Sequence, residues 1–420
     1  MQDIFDYARE NGINDLQITI NEVKDNTIDT INDNIKSIDL LEYTYYVIKA
    51  IYKGKRISFK TNKLDKKEII DKIKKYVSYI QNDEEDYIIK EGKIKCKRNV
   101  YDMDIFKYKD YLLELNKKYK KDIFKSVSTY YSKMVERKRI INSNGVELED
   151  ENKKEIFYTS IVASDGDKIV SYDSKIYNPN KEQIENVIKN VSLVVSNKLE
   201  EGTISSGKYK VLIDSKTMSD IFTCFIAMFN ADNVYYKQSY LTDKLNKKIM
   251  SDKITLIEDP INEDMVGKCL FDSEGTLTKK KVLVDKGILK TYLHSIKSAN
   301  RDGVEPTGNM YGNISTRNLY IVPGNKSEEE LLEEMGNGIM INEVVGTHVG
   351  INIITGIISL QAEGMIIKNG KRDKAIKNFV IATDFDTLFN NIIDIGNNLE
   401  FYNISFASPS ILFDNISISK

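Results

Sequence analysis

The sequence has 420 residues, of which 41 % are hydrophobic and 30 % are charged. This is the profile of a globular protein with enough chain for two or three buried cores. Its 61 basic and 63 acidic side chains leave a formal net charge of -2, so no global field favours nucleic acid or an anionic membrane. No segment reaches the roughly 20 uninterrupted apolar residues that a membrane helix needs. These properties predict a protein that binds neither nucleic acid nor membrane.

The cysteines and the first residues predict a cytoplasmic protein. Cys96, Cys224 and Cys269 are isolated and odd in number, which argues against a disulfide framework. Met1 opens directly into an amphipathic helix pattern, whereas a signal peptide needs a basic start and an apolar run.

The first half of the chain predicts two similar units over residues 43–80 and 155–195. Each unit reads as a hairpin, a polar link and an amphipathic helix, and the second hairpin turns at Asp165-Gly166-Asp167. The pattern indicates an internal repeat, although two unrelated α+β units would give the same order. We predict an N-terminal α+β domain of hairpins and amphipathic helices over residues 1–200.

A basic run at residues 117–121, Lys-Lys-Tyr-Lys-Lys, is the one stretch of this half that suggests a nucleic-acid patch. Acidic side chains lie close by at Glu114 and Asp122. The run is therefore interpreted as a solvated helix face rather than a binding site.

The second half is organised around one apolar helix. Residues 209–213 predict a strand, and apolar side chains then recur every three or four residues over 214–230. Asp214 or Ser215 is expected to cap the helix, since either side chain accepts from free backbone N–H groups of the first turn. Hairpins and glycine-punctuated strands follow, so we predict an α+β fold with a strand-rich C-terminal domain over residues 208–420.

Several short motifs of the second half occur in the order and spacing of one known family. They are Phe271–Gly275, Gly287–His294, Asn318–Gly324, Gly350–Asn352 with Thr355-Gly356, Glu363-Gly364 and Lys368–Gly370. In these motifs, and in the hairpin–helix order of its first half, the chain resembles the TldD/PmbA family. That family was historically named for modulation of DNA gyrase and is associated with metallopeptidase activity. The resemblance covers nearly the whole chain and implies an α+β fold that assembles as a dimer around an internal cavity.

The resemblance also implies a metal site in one of two paired branches. In the TldD branch the central helix carries His-Glu-x-x-x-His, and a cysteine near the C-terminus completes the zinc site. The two histidines bind the metal, while the glutamate handles the proton of the bound water. Here the corresponding positions hold Phe222, Thr223 and Ala227, and residues 404–409 offer no thiol. The chain therefore looks like the PmbA (TldE) branch. We expect no catalytic residue and no metal in it, and zinc in a TldD-type partner.

The remaining site candidates lie in the glycine-rich stretch that follows residue 346. Glycine-bearing strands suit bends in a sheet or a peptide that lies alongside as an added strand. We expect a cavity or peptide-binding role for His348, Gly350, Asn352, Thr355 and Gly356.

Three departures from the family make this surface more apolar, which casts doubt on any substrate contact taken over from relatives. They are Ile353, Ile357 and Leu360. His294 is expected to have a structural hydrogen-bonding role, and Cys224 to be a small core residue.

The leading hypothesis is a metal-free subunit that pairs with a TldD-type metallopeptidase, or with itself, and helps to bind peptides or unfolded proteins. One alternative is a homodimeric peptide-binding or regulatory protein without catalysis. Another is a metallopeptidase or other hydrolase with an unforeseen site, such as His348 with a carboxylate. A role as a regulator of gyrase is a further hypothesis, and only the family's historical name supports it. The sequence leaves open the substrate, the choice between homodimer and heterodimer, and the physiological role.

Overall fold

The computed structural model describes residues 1–80, 88–96 and 99–420, and it confirms the predicted α+β class. The α-helices are α1 (Gln2–Glu10), α2 (Lys66–Tyr76), α3 (Lys109–Tyr119), α4 (Lys181–Lys198), α5 (Ser215–Phe225), α6 (Ala231–Tyr235), α7 (Ile296–Asp302), α8 (Glu328–Met335), α9 (Thr347–Gly350) and α10 (Phe385–Asn390). Short 3-10 helices cover Val77–Tyr79, Phe106–Tyr108 and Ile226–Phe229. Within the described residues, no helix is long and apolar enough to cross a membrane.

In the part of the chain that the structure describes, the strands form three sheets. They are β1 (Asp15–Ile31), β2 (Asn34–Tyr52), β3 (Lys55–Thr61), β4 (Lys93–Ile94), β5 (Phe124–Asn142), β6 (Glu147–Ser164), β7 (Ile169–Tyr177), β8 (Gly207–Ile213), β9 (Leu256–Glu258), β10 (Lys281–Asp285), β11 (Ile288–Leu289), β12 (Leu319–Ile321), β13 (Gly338–Val345), β14 (Ile357–Lys368), β15 (Lys371–Asp384), β16 (Ile392–Ile395), β17 (Phe406–Ala407) and β18 (Ile411–Ser419).

The N-terminal sheet consists of two antiparallel meanders joined edge to edge. Its order is β3-β2-β1-β5-β6, and both β4 and β7 pair with β6. The elements run α1-β1-β2-β3-α2 in the first half and α3-β5-β6-β7-α4 in the second, with β1 and β5 pairing at the centre. Each unit is thus longer than the hairpin–helix repeat predicted for it. Common descent of the two units stays a prediction.

Alternation along the strands divides this sheet into an apolar face and a polar face. On β1, Leu16 and Ile18 are buried among the hydrophobic residues of α1 and α2. Gln17, Thr19 and Asn21 point the other way, since successive side chains of a strand lie on opposite faces. The helices therefore cover one face, and the polar face turns toward loops of the C-terminal half.

Five strands of the C-terminal half form a closed ring. The order is β15-β14-β13-β8-β18, and β18 returns to pair with β15 through Ile381 and Ile418. The smaller sheet β11-β10-β9-β12-β17 lies beside it. Side chains from both sheets and from α5 share the largest hydrophobic cluster of the molecule, which places α5 deep in this half as predicted.

Two elements of this half differ from the sequence predictions. The helix predicted over 214–230 is α-helical only to Phe225 and continues as a 3-10 turn to Phe229, where it ends because Asn230 is extended and caps the next helix. The glycine-rich stretch was predicted as strand throughout, and this is wrong for residues 346–356. Gly346 adopts a positive φ of 77°, which ends β13 and starts the short helix α9.

Candidate functional site

The candidate site is centred on α5, whose first turn is capped as predicted. The Asp214 carboxylate accepts a hydrogen bond from the Thr217 backbone N–H at 2.7 Å. Burial raises the pKa of Asp214 from 3.8 to about 7, and the neighbouring Glu328 adds to this rise. The Thr217 N–H and the Lys216 charge oppose the rise. A buried carboxyl group thus begins the helix to which the resemblance assigns the metal motif of the TldD branch.

Phe222, at the first predicted ligand position, is enclosed by other aromatic rings. It is fully buried and stacks on Phe406, with ring centroids 4.2 Å apart and planes 12° from parallel. Phe225 and Phe389 approach it edge-on at 5.9 Å and 5.6 Å. Offset stacking and edge-to-face contacts are the favoured geometries of aromatic pairs. The position is therefore part of the hydrophobic core and offers no lone pair to a metal.

Thr223 and Ala227, at the other two positions, also do not fit a zinc centre. The Thr223 hydroxyl donates its proton to the Ser219 carbonyl oxygen at 2.7 Å and can accept from the Asn403 amide at 3.4 Å. Ala227 lies in the 3-10 turn and has only a methyl group. Zinc in proteins is held by thiolate, imidazole or carboxylate groups. The donor set at these three positions does not match that requirement.

The C-terminal segment 404–409 packs against α5. The contacts between them are serine hydrogen bonds and stacked aromatic rings, not metal ligands. Ser215 donates its hydroxyl proton to the Ser408 carbonyl at 2.6 Å, and the Ser408 N–H donates to the Ser219 hydroxyl oxygen at 3.1 Å. The two parts that the resemblance assigns to a metal site are adjacent. Their contacts here tie the chain to the helix.

The glycine-rich candidates are engaged in the conformation of their own loop. The Asn352 carboxamide oxygen accepts from the backbone N–H groups of Ile354 and Thr355 at 2.9 and 3.1 Å. A Cβ atom at Gly350 would lie 2.2 Å from the Ser359 carbonyl oxygen, and Gly356 has a φ of +78°. These are turn-forming and close-approach roles.

Among the residues that the structure describes, this region has no free strand edge to which a peptide could add as a further strand. Residues 346–356 are not strand, and β14 pairs with β13 on one side and β15 on the other. The glycine of β14, Gly364, instead permits a bend in the sheet. A Cβ atom at Gly364 would lie 2.0 Å from the Met340 carbonyl oxygen, at a register shift between the strands. A cavity-lining or peptide-binding role for His348 and its neighbours stays a prediction.

An exposed apolar group surrounds α9, which contacts α5. It consists of Val345, Val349, Ile354 and Ile357, with between 51 % and 79 % of each residue exposed. The expectation that Ile357 adds apolar surface is thus consistent with the structure. The same expectation is wrong for Leu360, which points inward and is fully buried. We call Val345, Val349, Ile354 and Ile357 the α9 apolar cluster.

The histidines and cysteines near these elements do not form a reactive group. His294 is buried, with Nδ1 3.5 Å from the Ser298 hydroxyl oxygen and 3.8 Å from Asp302, and burial lowers its pKa. His348 is exposed on α9. Burial raises the pKa of the Cys224 thiol. Across residues 1–80, 88–96 and 99–420, no three His, Cys, Asp or Glu side chains are grouped so that they could hold a metal ion.

Sequence reasoning missed a cavity on the polar face of the N-terminal sheet. It has a volume of about 480 Å³ and lies between that face and loop residues 267–274 and 310–317. The alternation of Gln17, Thr19 and Asn21 on β1 was a signal for a polar sheet face. What covers that face depends on contacts between residues that are far apart in the chain.

Comparison with known proteins gives a family for this combination of fold and altered motif. Residues 98–195 match the model of the PmbA/TldA metallopeptidase central domain, and residues 206–420 match that of the C-terminal domain. A metalloprotease of Methanocaldococcus jannaschii is 29 % identical over 86 % of this chain and 78 % of its own length. The metalloprotease PmbA of Escherichia coli O157:H7 is 30 % identical over 48 % of this chain and 44 % of its own length.

Solved structures give the same architecture. A Thermotoga maritima protein described as a candidate modulator of a DNA gyrase superposes with a TM-score of 0.88 at 27 % identity, covering 100 % of this chain and 99 % of that one. TldE from Thermococcus kodakarensis shares the fold, with a TM-score of 0.88 at 18 % identity and full coverage of both chains.

These matches define a metallopeptidase-like α+β protein, and they confirm the resemblance read from the sequence motifs. The chain belongs to the PmbA/TldA metallopeptidase family.

Proposed function

We propose that this chain is a metal-free subunit of a PmbA/TldA-type metallopeptidase and helps a metal-bearing partner to act on peptides or unfolded proteins. The observation that carries the proposal is the aromatic enclosure of Phe222, where relatives of the TldD branch have a metal ligand. A zinc peptidase needs a metal to polarise the carbonyl and activate a water, together with a base for its proton. Phe222, Thr223 and Ala227 supply neither function.

The α9 apolar cluster supports a partner that packs beside α5. Side chains such as Val349 and Ile354 lie exposed on or beside α9, which contacts α5. Exposed apolar groups that are close together are typical of protein interfaces. We propose that a TldD-type subunit, or a second copy of this chain, covers this surface. The complete interface is expected to bury on the order of 2,000 Å² or more, the size of obligate assemblies.

The purified chain should contain far less than one zinc ion per molecule. The reason is that the three expected ligand positions hold an aromatic ring, a hydroxyl that already donates to a backbone carbonyl, and a methyl group. Elemental analysis after purification without chelator measures this. A TldD-type relative purified in parallel is the positive control, and about one tightly held zinc per copy of this chain would contradict the proposal.

Peptide cleavage should require the partner and improve with this chain. An unstructured peptide is incubated with this chain alone, with a TldD-type subunit alone and with both. We expect turnover in the mixture that chelator abolishes, and none with this chain alone. Turnover by this chain alone that chelator removes would overturn the metal-free assignment.

A variant of the α9 apolar cluster separates assembly from catalysis. Val349→Glu places a charge where we expect the partner, and it should reduce both complex formation and the stimulation of cleavage by tenfold or more. Val304→Glu is the matched control, because Val304 has about half of its surface exposed but follows α7. Unchanged stimulation with Val349→Glu would contradict a partner on this surface.

A further inference from the structure

The cavity on the polar face of the N-terminal sheet has the features of a ligand site. Its walls come from three parts of the chain, within residues 17–60, 136–154 and 267–317. They are distinct from α5 and from the α9 apolar cluster. A volume of about 480 Å³ lies in the range typical of pockets for small ligands.

A buried carboxamide at the floor of the cavity lacks a partner for its oxygen. Gln17 is only 2 % exposed, and its Oε1 atom has no hydrogen-bond donor in the described structure. Its Nε2 group donates to the Ser273 carbonyl oxygen at 3.4 Å, which orients the amide. Buried polar atoms of folded proteins are normally paired, so an unpaired acceptor on a residue that lines a cavity points to a ligand or water that donates there.

A buried lysine stands next to this amide. Lys49 of β2 is the register partner of Gln17 of β1, and it is 8 % exposed. Its Nζ atom forms an ion pair with the Glu274 carboxylate, with the two atoms 3.8 Å apart. The other oxygen of Glu274 accepts from the Ile296 N–H at 2.8 Å. The floor of the cavity thus places the cationic Lys49 beside Gln17, whose Oε1 atom lacks a donor.

The walls add an excess of positive charge. Eight basic and four acidic side chains line the cavity, although the whole chain is nearly neutral. Arg56 and Lys60 lie on β3 at the exposed side. Arg317 lies on the opposite wall, with its guanidinium carbon 4.7 Å from the centre of the Tyr311 ring. A concave surface lined mainly by one sign of charge attracts ligands of the opposite sign.

We propose that this cavity binds a short acidic peptide segment. A backbone N–H group of the peptide would donate to Gln17 Oε1, and its side-chain carboxylates would face Lys49, Arg56 and Arg317. A peptide supplies both kinds of group along one chain, whereas inorganic phosphate carries its donor and its charge on one compact group that would not also extend to the opposite wall. The inference extends the proposed function in taking a peptide as ligand, but it concerns this chain alone and a different site.

The test is calorimetric titration of the full chain, at low ionic strength, with two blocked tetrapeptides. One is acetyl-Ala-Glu-Glu-Ala-amide, and the other has glutamine in place of both glutamates. We expect the glutamate peptide to bind at least tenfold more tightly. Raising the salt concentration to 0.5 M should weaken binding severalfold, because screening reduces the attraction between charges.

Three variants locate the site. Gln17→Met keeps the side-chain length and removes the amide, and Arg56→Glu reverses a charge at the exposed side. Each should weaken binding of the glutamate peptide about tenfold. Lys67→Glu is the matched control, because Lys67 is exposed on α2, which packs against the apolar face of the sheet. Thermal melting verifies that each variant is folded, and the exposed Arg56 keeps the test valid if Gln17→Met does not fold.

Three results would overturn the inference. The first is equal binding of the glutamate and glutamine peptides, and the second is equal loss of binding with Arg56→Glu and Lys67→Glu. The third is full displacement of the peptide by an equal concentration of inorganic phosphate, which would make the cavity a nonspecific anion site. Since no partner subunit enters these titrations, each of these results leaves the proposed metal-free subunit role to be decided by its own experiments.

Discussion

Phe222→Ala should lower the free energy of unfolding by about 3–5 kcal/mol, the range measured for buried aromatic truncations. The ring is fully buried, stacks on Phe406 and is approached edge-on by Phe225 and Phe389. Removing it would leave a cavity between these rings, and a close-packed core relaxes only partly to fill such a space. The loss should therefore include the cost of the cavity as well as the lost burial.

Urea denaturation of the wild type and the variant measures this loss. Phe106→Ala is the matched control, since it removes the same group from a side chain with 55 % of its surface exposed. It should cost well under 1 kcal/mol, as surface substitutions usually do. A loss below about 1 kcal/mol for Phe222→Ala would mean that the ring borders a solvent-filled chamber instead of a packed core.

Local patterns in the sequence were sufficient to predict the elements with strong periodicity or defined turns. The predicted Asp165-Gly166-Asp167 turn separates β6 from β7, and the predicted amphipathic helix of the second unit is α4. The helix α8 begins with a capping box between Ser327 and Glu330, and the sequence itself shows this Ser-x-x-Glu pattern. These features depend on contacts between residues close in the chain, so a single sequence can carry them.

Features that depend on distant contacts were not predicted. The five-stranded ring closes where Ile381 of β15 pairs with Ile418 of β18, and no pattern in either strand predicts that pairing. The glycines of residues 346–356 suggested strands, whereas Gly350 is required because the Ser359 carbonyl passes so close. A glycine that permits a turn and one that permits a close approach look the same in sequence.

The candidate site shows the same division. The absence of metal-binding side chains at Phe222, Thr223 and Ala227 could be read directly from the residue types. The way the space was filled could not, because the stack with Phe406 joins positions 184 residues apart. The cavity beside Gln17 escaped notice for the same reason, since its opposite wall comes from residues 267–317.

Asp214→Asn should remove a pH-dependent loss of stability. The pKa of Asp214 is raised from 3.8 to about 7 in the folded protein by burial and by Glu328. The folded state therefore holds this proton between about pH 4 and pH 7, where the unfolded chain has released it. Stability from this group is fully present below about pH 4, falls as the pH rises toward 7 and stays lost above that. The free energy of unfolding that is lost in this way between about pH 4 and pH 7 is on the order of 4 kcal/mol.

Asparagine suits the test because it is also a preferred N-cap residue and can accept from the Thr217 N–H without carrying a charge. We expect Asp214→Asn to be more stable than the wild type at pH 8 by up to a few kcal/mol, with the advantage shrinking steadily toward pH 4. Subtracting the two urea-derived stability curves cancels the titration of groups common to both proteins. Asp65→Asn, at the exposed N-cap of α2, controls for the loss of a charged cap as such. A constant difference between Asp214→Asn and wild type from pH 4 to pH 8 would contradict the buried, proton-holding carboxylate at the start of α5.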